Sequence, residues 1–129
     1  MSQDTPAPSL PEFERDEDFV SLYTNHVWYE NSVWDLNLVF GQLDPSKGPN
    51  AVRQHTAIAM SWMQAKLLSH YIEVNILLHE ARSGKVQIPP QLRPPELAPL
   101  TPEEESDPIK RETNEQIRDL RRRFLESLD

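Results

Sequence analysis

Residues 61–82 read SWMQAKLLSHYIEVNILLHEAR, and the fold follows from how the apolar positions of this stretch repeat. At about 100° per residue, Leu67, Tyr71, Val74, Leu78 and Ala81 fall on one line of a helix, and Ala65, Leu68, Ile72 and Ile76 on another. A polar seam of Gln64, Asn75 and Arg82 separates the lines, while Lys66, Ser69, His70, Glu73 and Glu80 take the far side. One stripe suffices to attach a helix to its own sheet, so a second stripe calls for a partner. Leu67, Tyr71, Val74 and Leu78, with Leu68, Ile72, Asn75 and Ile76, are therefore the expected oligomer interface. Ser61 followed by Gln64 has capping-box spacing, and Gly84 marks the stop. The helix between them spans roughly 30 Å.

Upstream, three stretches of β character precede this helix. Val20 to Glu30 carries Tyr23, Val27, Trp28 and Tyr29, with apolar residues on both faces. Val33 to Gln42 alternates, with Leu36, Leu38 and Phe40 on one side and Asp35 and Asn37 on the other, as a half-buried strand does. Residues 44–50, DPSKGPN, form a turn, and Ala51 to Met60 puts Val52, Thr56, Ile58 and Met60 on one face. An antiparallel meander with one dry face is predicted. Downstream, prolines at 89, 90, 94, 95, 99, 102 and 108 predict an extended connection without regular hydrogen bonding. From Ile109 a second helical pattern appears, with Ile117, Leu120, Phe124 and Leu128 on one stripe and Arg118, Arg121 and Arg122 opposite. So short a helix is unstable alone in water, which makes that stripe the expected tail-docking surface.

The chain has 129 residues and a net charge of −8. Residues 1–18 carry a net −5, residues 19–88 are neutral, and residues 89–129 carry −3, so the acidity belongs to the ends. The neutral middle holds every Trp, Tyr and Gly. A middle of about 70 residues buries only about three-fifths of its unfolded surface and folds marginally without a disulfide, a metal or a partner chain. Cysteine is absent, so a partner chain is the remaining support. No basic-then-apolar leader opens the chain and no apolar run is long enough to cross a bilayer. A cytoplasmic protein with no membrane insertion is expected.

The residue types that carry chemistry do not converge. His26 and His55 lie on different strands, and His70 and His79 are nine residues apart, about 180° round a helix, whereas a metal site needs three or four ligands on one point. No nucleophile elbow surrounds Ser21, Ser32, Ser61 or Ser69, and the glycines form no phosphate loop. Lys110, Arg111 and Arg121 to Arg123 are interleaved with Glu112, Glu115, Asp119 and Glu126, a salt-bridged surface rather than a nucleic-acid grip. Neither an enzyme, nor a cofactor or metal, nor a nucleic-acid partner is expected. The aromatic side chains are the remaining candidates. Tyr23, Val27, Trp28, Tyr29, Trp34 and Trp62 read either as core and subunit contacts or as a patch for extended apolar peptides.

Two resemblances attach to these residues. Tyr23, Thr24, Asn25, His26 and Val27, then Asp35 to Gly41, then Met60 and Ser61 opening a helix that ends near Glu80 and Gly84, resemble a short, mainly bacterial family of unknown function. More loosely, the chain is similar to the SecB-type protein-export chaperones. Tyr23 and Thr24 stand like the start of their first strand, and Tyr29 and Glu30 like its end. Gly84, Pro89, Pro90, Leu97 and Pro99, followed by Ile117 to Leu128, keep the order of their later elements. The second resemblance implies an acidic homo-oligomer whose long helices pair and whose aromatic-lined grooves hold unfolded chains. Three strands stand here where that fold has four, and the terminal helix carries arginines rather than an acidic end.

The expected architecture is α+β and SecB-like. A three- or four-stranded antiparallel meander is covered by one long helix, and a short C-terminal amphipathic helix follows. Residues 1–18 form a disordered acidic tail, 19–88 an oligomerisation domain, 89–108 a proline-rich linker and 109–129 the terminal helix. The expected function is a non-catalytic, homodimeric or dimer-of-dimers module that binds apolar or extended protein segments as a holdase. The alternative is a scaffolding subunit that docks one specific protein through its C-terminal helix.

Overall fold

A computed structural model of the protein describes residues 10–129. The chain divides into two compact units, one ending at Ala65 and the other running from Lys66 to Asp129. Of the acidic tail expected over 1–18, residues 1–9 lie outside the described residues.

The first unit is an antiparallel meander of β1 (His26–Asn31), β2 (Asp35–Leu43) and β3 (Val52–Ser61), in the order β1-β2-β3. Its register opposes Val27 to Phe40 and Tyr29 to Leu38 across β1 and β2, and Leu36 to Met60, Leu38 to Ile58 and Phe40 to Thr56 across β2 and β3. Directly opposed residues share a face. One face therefore carries Val27, Tyr29, Leu36, Leu38, Phe40, Thr56, Ile58 and Met60, and the other His26, Trp28, Glu30, Asp35, Asn37, Val39, Ala57 and Ala59. The alternation expected for β2 holds, and so does that of Thr56, Ile58 and Met60 in β3, but the register shift at Phe40/Gly41 opposes Val52 to Leu43 on the other face, and His55 lines a cleft with Phe40 and Thr56 rather than facing away from them.

The first strand starts later than its composition suggests, at His26 rather than Val20. Two side chains end the ladder there by taking over its bonds. Thr24 Oγ1 donates to Gly41 O at 2.7 Å and accepts from Gly41 N–H at 3.2 Å, and Asn25 Oδ1 accepts from Leu43 N–H at 2.8 Å. The register shifts at Phe40/Gly41, and only glycine fits this bulge. A Cβ on Gly41 would stand 2.6 Å from Arg53 O and 3.0 Å from Gln54 Cα.

The hairpin between β1 and β2 is organised by Ser32, whose hydroxyl accepts from the N–H groups of Trp34 and Asp35, both at 3.1 Å. The connection to β3 closes through Asp44 N–H to Ala51 O at 2.8 Å, with a 3-10 turn at Pro45–Lys47 and Gly48 at a φ of +138°.

Directly after β3 comes α1 (Trp62–Ser83), with Ser61 Oγ accepting from Gln64 N–H at 3.2 Å, as the capping spacing predicts. Gly84 ends it at a φ of +85°, its N–H donating to Glu80 O at 2.9 Å. In the second unit the proline-rich stretch is more regular than expected. It contains a 3-10 turn at Pro90–Leu92 and a one-turn helix, α2 (Pro102–Glu105), started by a full capping box between Thr101 and Glu104. That box satisfies two otherwise orphaned N–H groups, which is why four residues hold a helix. Asp107 then caps α3 (Pro108–Glu126) by accepting from Ile109 N–H at 3.0 Å. A three-stranded antiparallel sheet, a long helix and a shorter C-terminal helix make the chain α+β.

Among the described residues the one buried apolar side chain is Leu38, at 7 % exposure in the middle of the sheet. Its neighbours along the same row, Tyr29 and Ile58, remain 64 % and 48 % exposed. No residue of α1 is buried.

Candidate binding surface

The six aromatic and apolar residues singled out as a peptide or partner surface do not form one patch. Val27 and Tyr29 share the apolar sheet face, whereas Trp28 stands on the opposite face in a row with Val39 and Ala57. Trp34 projects from the hairpin turn and is among the most exposed large side chains. Trp62 has a structural bond, its indole N–H donating to Ser32 O at 3.0 Å and bracing that hairpin from the first residue of α1. Tyr23 precedes β1. Its ring is exposed while its carbonyl is held, accepting from His55 Nε2 at 3.1 Å and from Gln42 Nε2 at 3.3 Å. Because a carbonyl only accepts, His55 Nε2 is the donor in that bond, and Nδ1 lies 2.8 Å from the Thr56 hydroxyl.

The structure groups a different set. Val20, Leu22, Thr24, Phe40, His55, Thr56 and Ile58 line a cleft of about 340 Å³ on the apolar sheet face. Phe40 and Ile58 are legible in sequence as one-sided strand residues. That Val20 and Leu22 meet them is not, since it depends on the chain leaving the ladder before His26.

The α1 residues expected at an oligomer interface split by exposure. Leu67, Tyr71, Leu78, Ile72 and Ile76 are exposed, and Leu68 and Val74 are half-buried. Asn75 of the polar seam turns back on its own helix, Nδ2 donating to Tyr71 O at 2.7 Å.

Within the second unit the α3 stripe is shared between two clefts. Ile117 lines one of about 450 Å³ with Leu97 to Leu100 and Asn114. Phe124 and Leu128 line one of about 560 Å³ with Ile76, Leu77, Val86 and Ile88. Leu120 lies between them, exposed. The arginines opposite have two duties. Arg118 Nη2 donates to Leu97 O at 3.4 Å and Arg121 Nε to Pro94 O at 3.1 Å, supplying donors to an extended stretch whose carbonyls have no ladder partners. Arg122 pairs with Asp119 and with Glu126 at 3.6 Å, and Arg123 with Asp119 at 3.3 Å.

The electrostatics follow these local bonds. Glu104 lies below its ordinary pKa through its hydrogen bonds from Thr101. Asp119 is lowered by its bond from Arg122, and Arg122 is raised by the same bond. All three are surface groups. His26 Nδ1 and Asn114 Oδ1 are buried without a hydrogen-bond partner among the described residues. No group of three or more His, Cys, Asp or Glu suited to a metal ion occurs among the described residues. No helix of the described residues is long and apolar enough to cross a membrane.

Comparison with protein-family models, with curated proteins and with solved structures finds no match to this chain.

Proposed function

We propose that the chain is a non-catalytic, homo-oligomeric protein-binding module of holdase type, acting in the bacterial cytoplasm as its similarity to SecB-type chaperones implies. The observation that carries this reading is the surplus of uncovered apolar surface. Leu38 alone of the described apolar residues is buried, while a cleft on the sheet face stays open and Leu67, Tyr71, Ile72 and Leu78 of α1 are exposed. Exposed apolar area on this scale marks sites of protein contact. Two kinds of contact fit the two surfaces. The regular α1 stripes suit another copy of the same helix, and the irregular, cleft-bearing sheet face suits a client of varied sequence. The scaffolding alternative has less support, because the C-terminal stripe it needs is partly engaged with residues 76–100 of its own chain.

The test is suppression of aggregation of a chemically unfolded client. Stoichiometric suppression, lost on substituting Ile58→Asp, supports the reading. No suppression at a several-fold excess, together with no binding of an apolar dye, rejects it.

A further inference from the structure

The apolar face of the sheet is partly occupied by its own chain. Val20 and Leu22, two residues apart, line the cleft opposite Phe40, Thr56 and Ile58. They belong to no strand, and among the described residues no backbone hydrogen bond joins 20–22 to the ladder. The stretch is fixed only at its ends. On one side Phe19 N–H donates to Asp16 O at 3.0 Å and the Arg15 guanidinium sits 4.5 Å above the Phe19 ring. On the other, His55 and Gln42 hold the carbonyl of Tyr23. Between these anchors Val20 is 67 % and Leu22 56 % exposed, so both border the cleft without being packed into it.

We infer that this cleft receives an extended segment of another protein bearing aliphatic side chains at alternate positions, and that Val20 to Leu22 is a resident pseudo-ligand which such a segment displaces. This rests on the protein-binding reading and names the ligand class of its site. Side chains at i and i+2 of an extended chain point the same way, so one aliphatic pair can replace another over Phe40 and Ile58. Capture of the Tyr23 carbonyl by two side chains asks for nothing but a backbone C=O, which any peptide offers. Displacement sacrifices few contacts, because the resident pair makes few. The resident segment nevertheless competes at the effective concentration of a short tether, on the order of millimolar, and lowers the apparent affinity for an outside segment by the fraction of time the cleft is filled.

The experiment uses the full chain and a fluorescein-labelled peptide of residues 18–24, DFVSLYT, read by fluorescence anisotropy. Substituting Val20→Ser and Leu22→Ser together should raise affinity for this peptide at least tenfold over the unsubstituted chain. Ile58→Asp added to the pair should abolish binding, and the peptide with serine at both aliphatic positions should not bind. Equal affinity of the two chains for the peptide, or equal binding of the serine peptide, overturns the inference. Should the double substitution unfold the sheet by circular dichroism, Leu22→Ala alone carries the same expectation with a smaller gain, and no gain overturns it. Peptide capture without suppression of client aggregation rejects the holdase reading and leaves this site standing. Suppression without peptide capture does the reverse.

Discussion

Gly41 and Thr24 show what the Tyr-Thr-Asn-His-Val stretch is for. Side chains of Thr24 and Asn25 end the β1 ladder by bonding Gly41 and Leu43, and Gly41 is the residue that lets β3 approach at the bulge. The stretch stands out in the sequence, but its role was not legible there, because its partners lie 17 and 18 residues away in a register that only pairing defines. Gly41→Ala sets a methyl 2.6 Å from Arg53 O, a backbone atom that cannot swing aside. A loss of about 1–3 kcal/mol is expected from such overpacking, read as a lower urea midpoint with an unchanged slope. An unchanged midpoint would mean the strands open at the bulge at no cost.

At the scale of elements, the helices were the most legible parts of the chain and the linker the least. Ser61 and Gly84 bracket α1 as their types predict, and α3 begins at Pro108, one residue before the expected Ile109. The prolines of the linker predict an irregular stretch. Pro90 and Pro102 instead start helical turns, since proline is tolerated in the first turn of a helix, where its missing N–H is not needed. The exposed end of α3 is held in part by Asp119 with Arg122 and Arg123. Asp119 has its folded pKa lowered, chiefly by the hydrogen bond from Arg122. Its stabilising contribution is therefore present above the ordinary aspartate pKa of about 4 and fades as pH falls through the lower folded value. Helicity of the chain should stay level from neutral pH down to about 5 and decline below about 4, with Arg122→Gln making that decline shallower. Circular dichroism across the acid range checks it, and added salt should weaken the contribution, as for any exposed pair.

For the whole molecule the deciding fact is how little apolar surface the described chain buries. A domain this small is marginal without a covalent or metal staple, and it has no cysteine. We expect sedimentation velocity at micromolar concentration to find at least two chains per particle. The thermal midpoint should rise with protein concentration, as it does when folding and association are linked. Ile72→Asp, in the second stripe of α1, should shift the particle toward a monomer and lower that midpoint. A monomer whose midpoint is independent of concentration would remove the partner that the second stripe requires.

Local sequence preferences account for the meander and the two long helices, though not for the helical turns at Pro90 and Pro102. Period-two alternation set the faces of β2 and of Thr56 to Met60 in β3, a 3.6-residue period set the two stripes of α1, and cap residues set where α1 begins and ends, all of which are local, whereas the bulge at Gly41 moved Val52 and His55 from the faces that alternation gives them. Where β1 starts, why Gly41 must be glycine, which aromatic residues face which way, and that Val20 and Leu22 meet Phe40 and Ile58 were decided only by the tertiary structure. Each depends on contacts between residues distant in the chain, and no local preference of Val20 or Gly41 specifies its partner. The candidate site is accordingly a cleft bordered by Val20, Leu22, Phe40 and Ile58, rather than a patch of the aromatic residues.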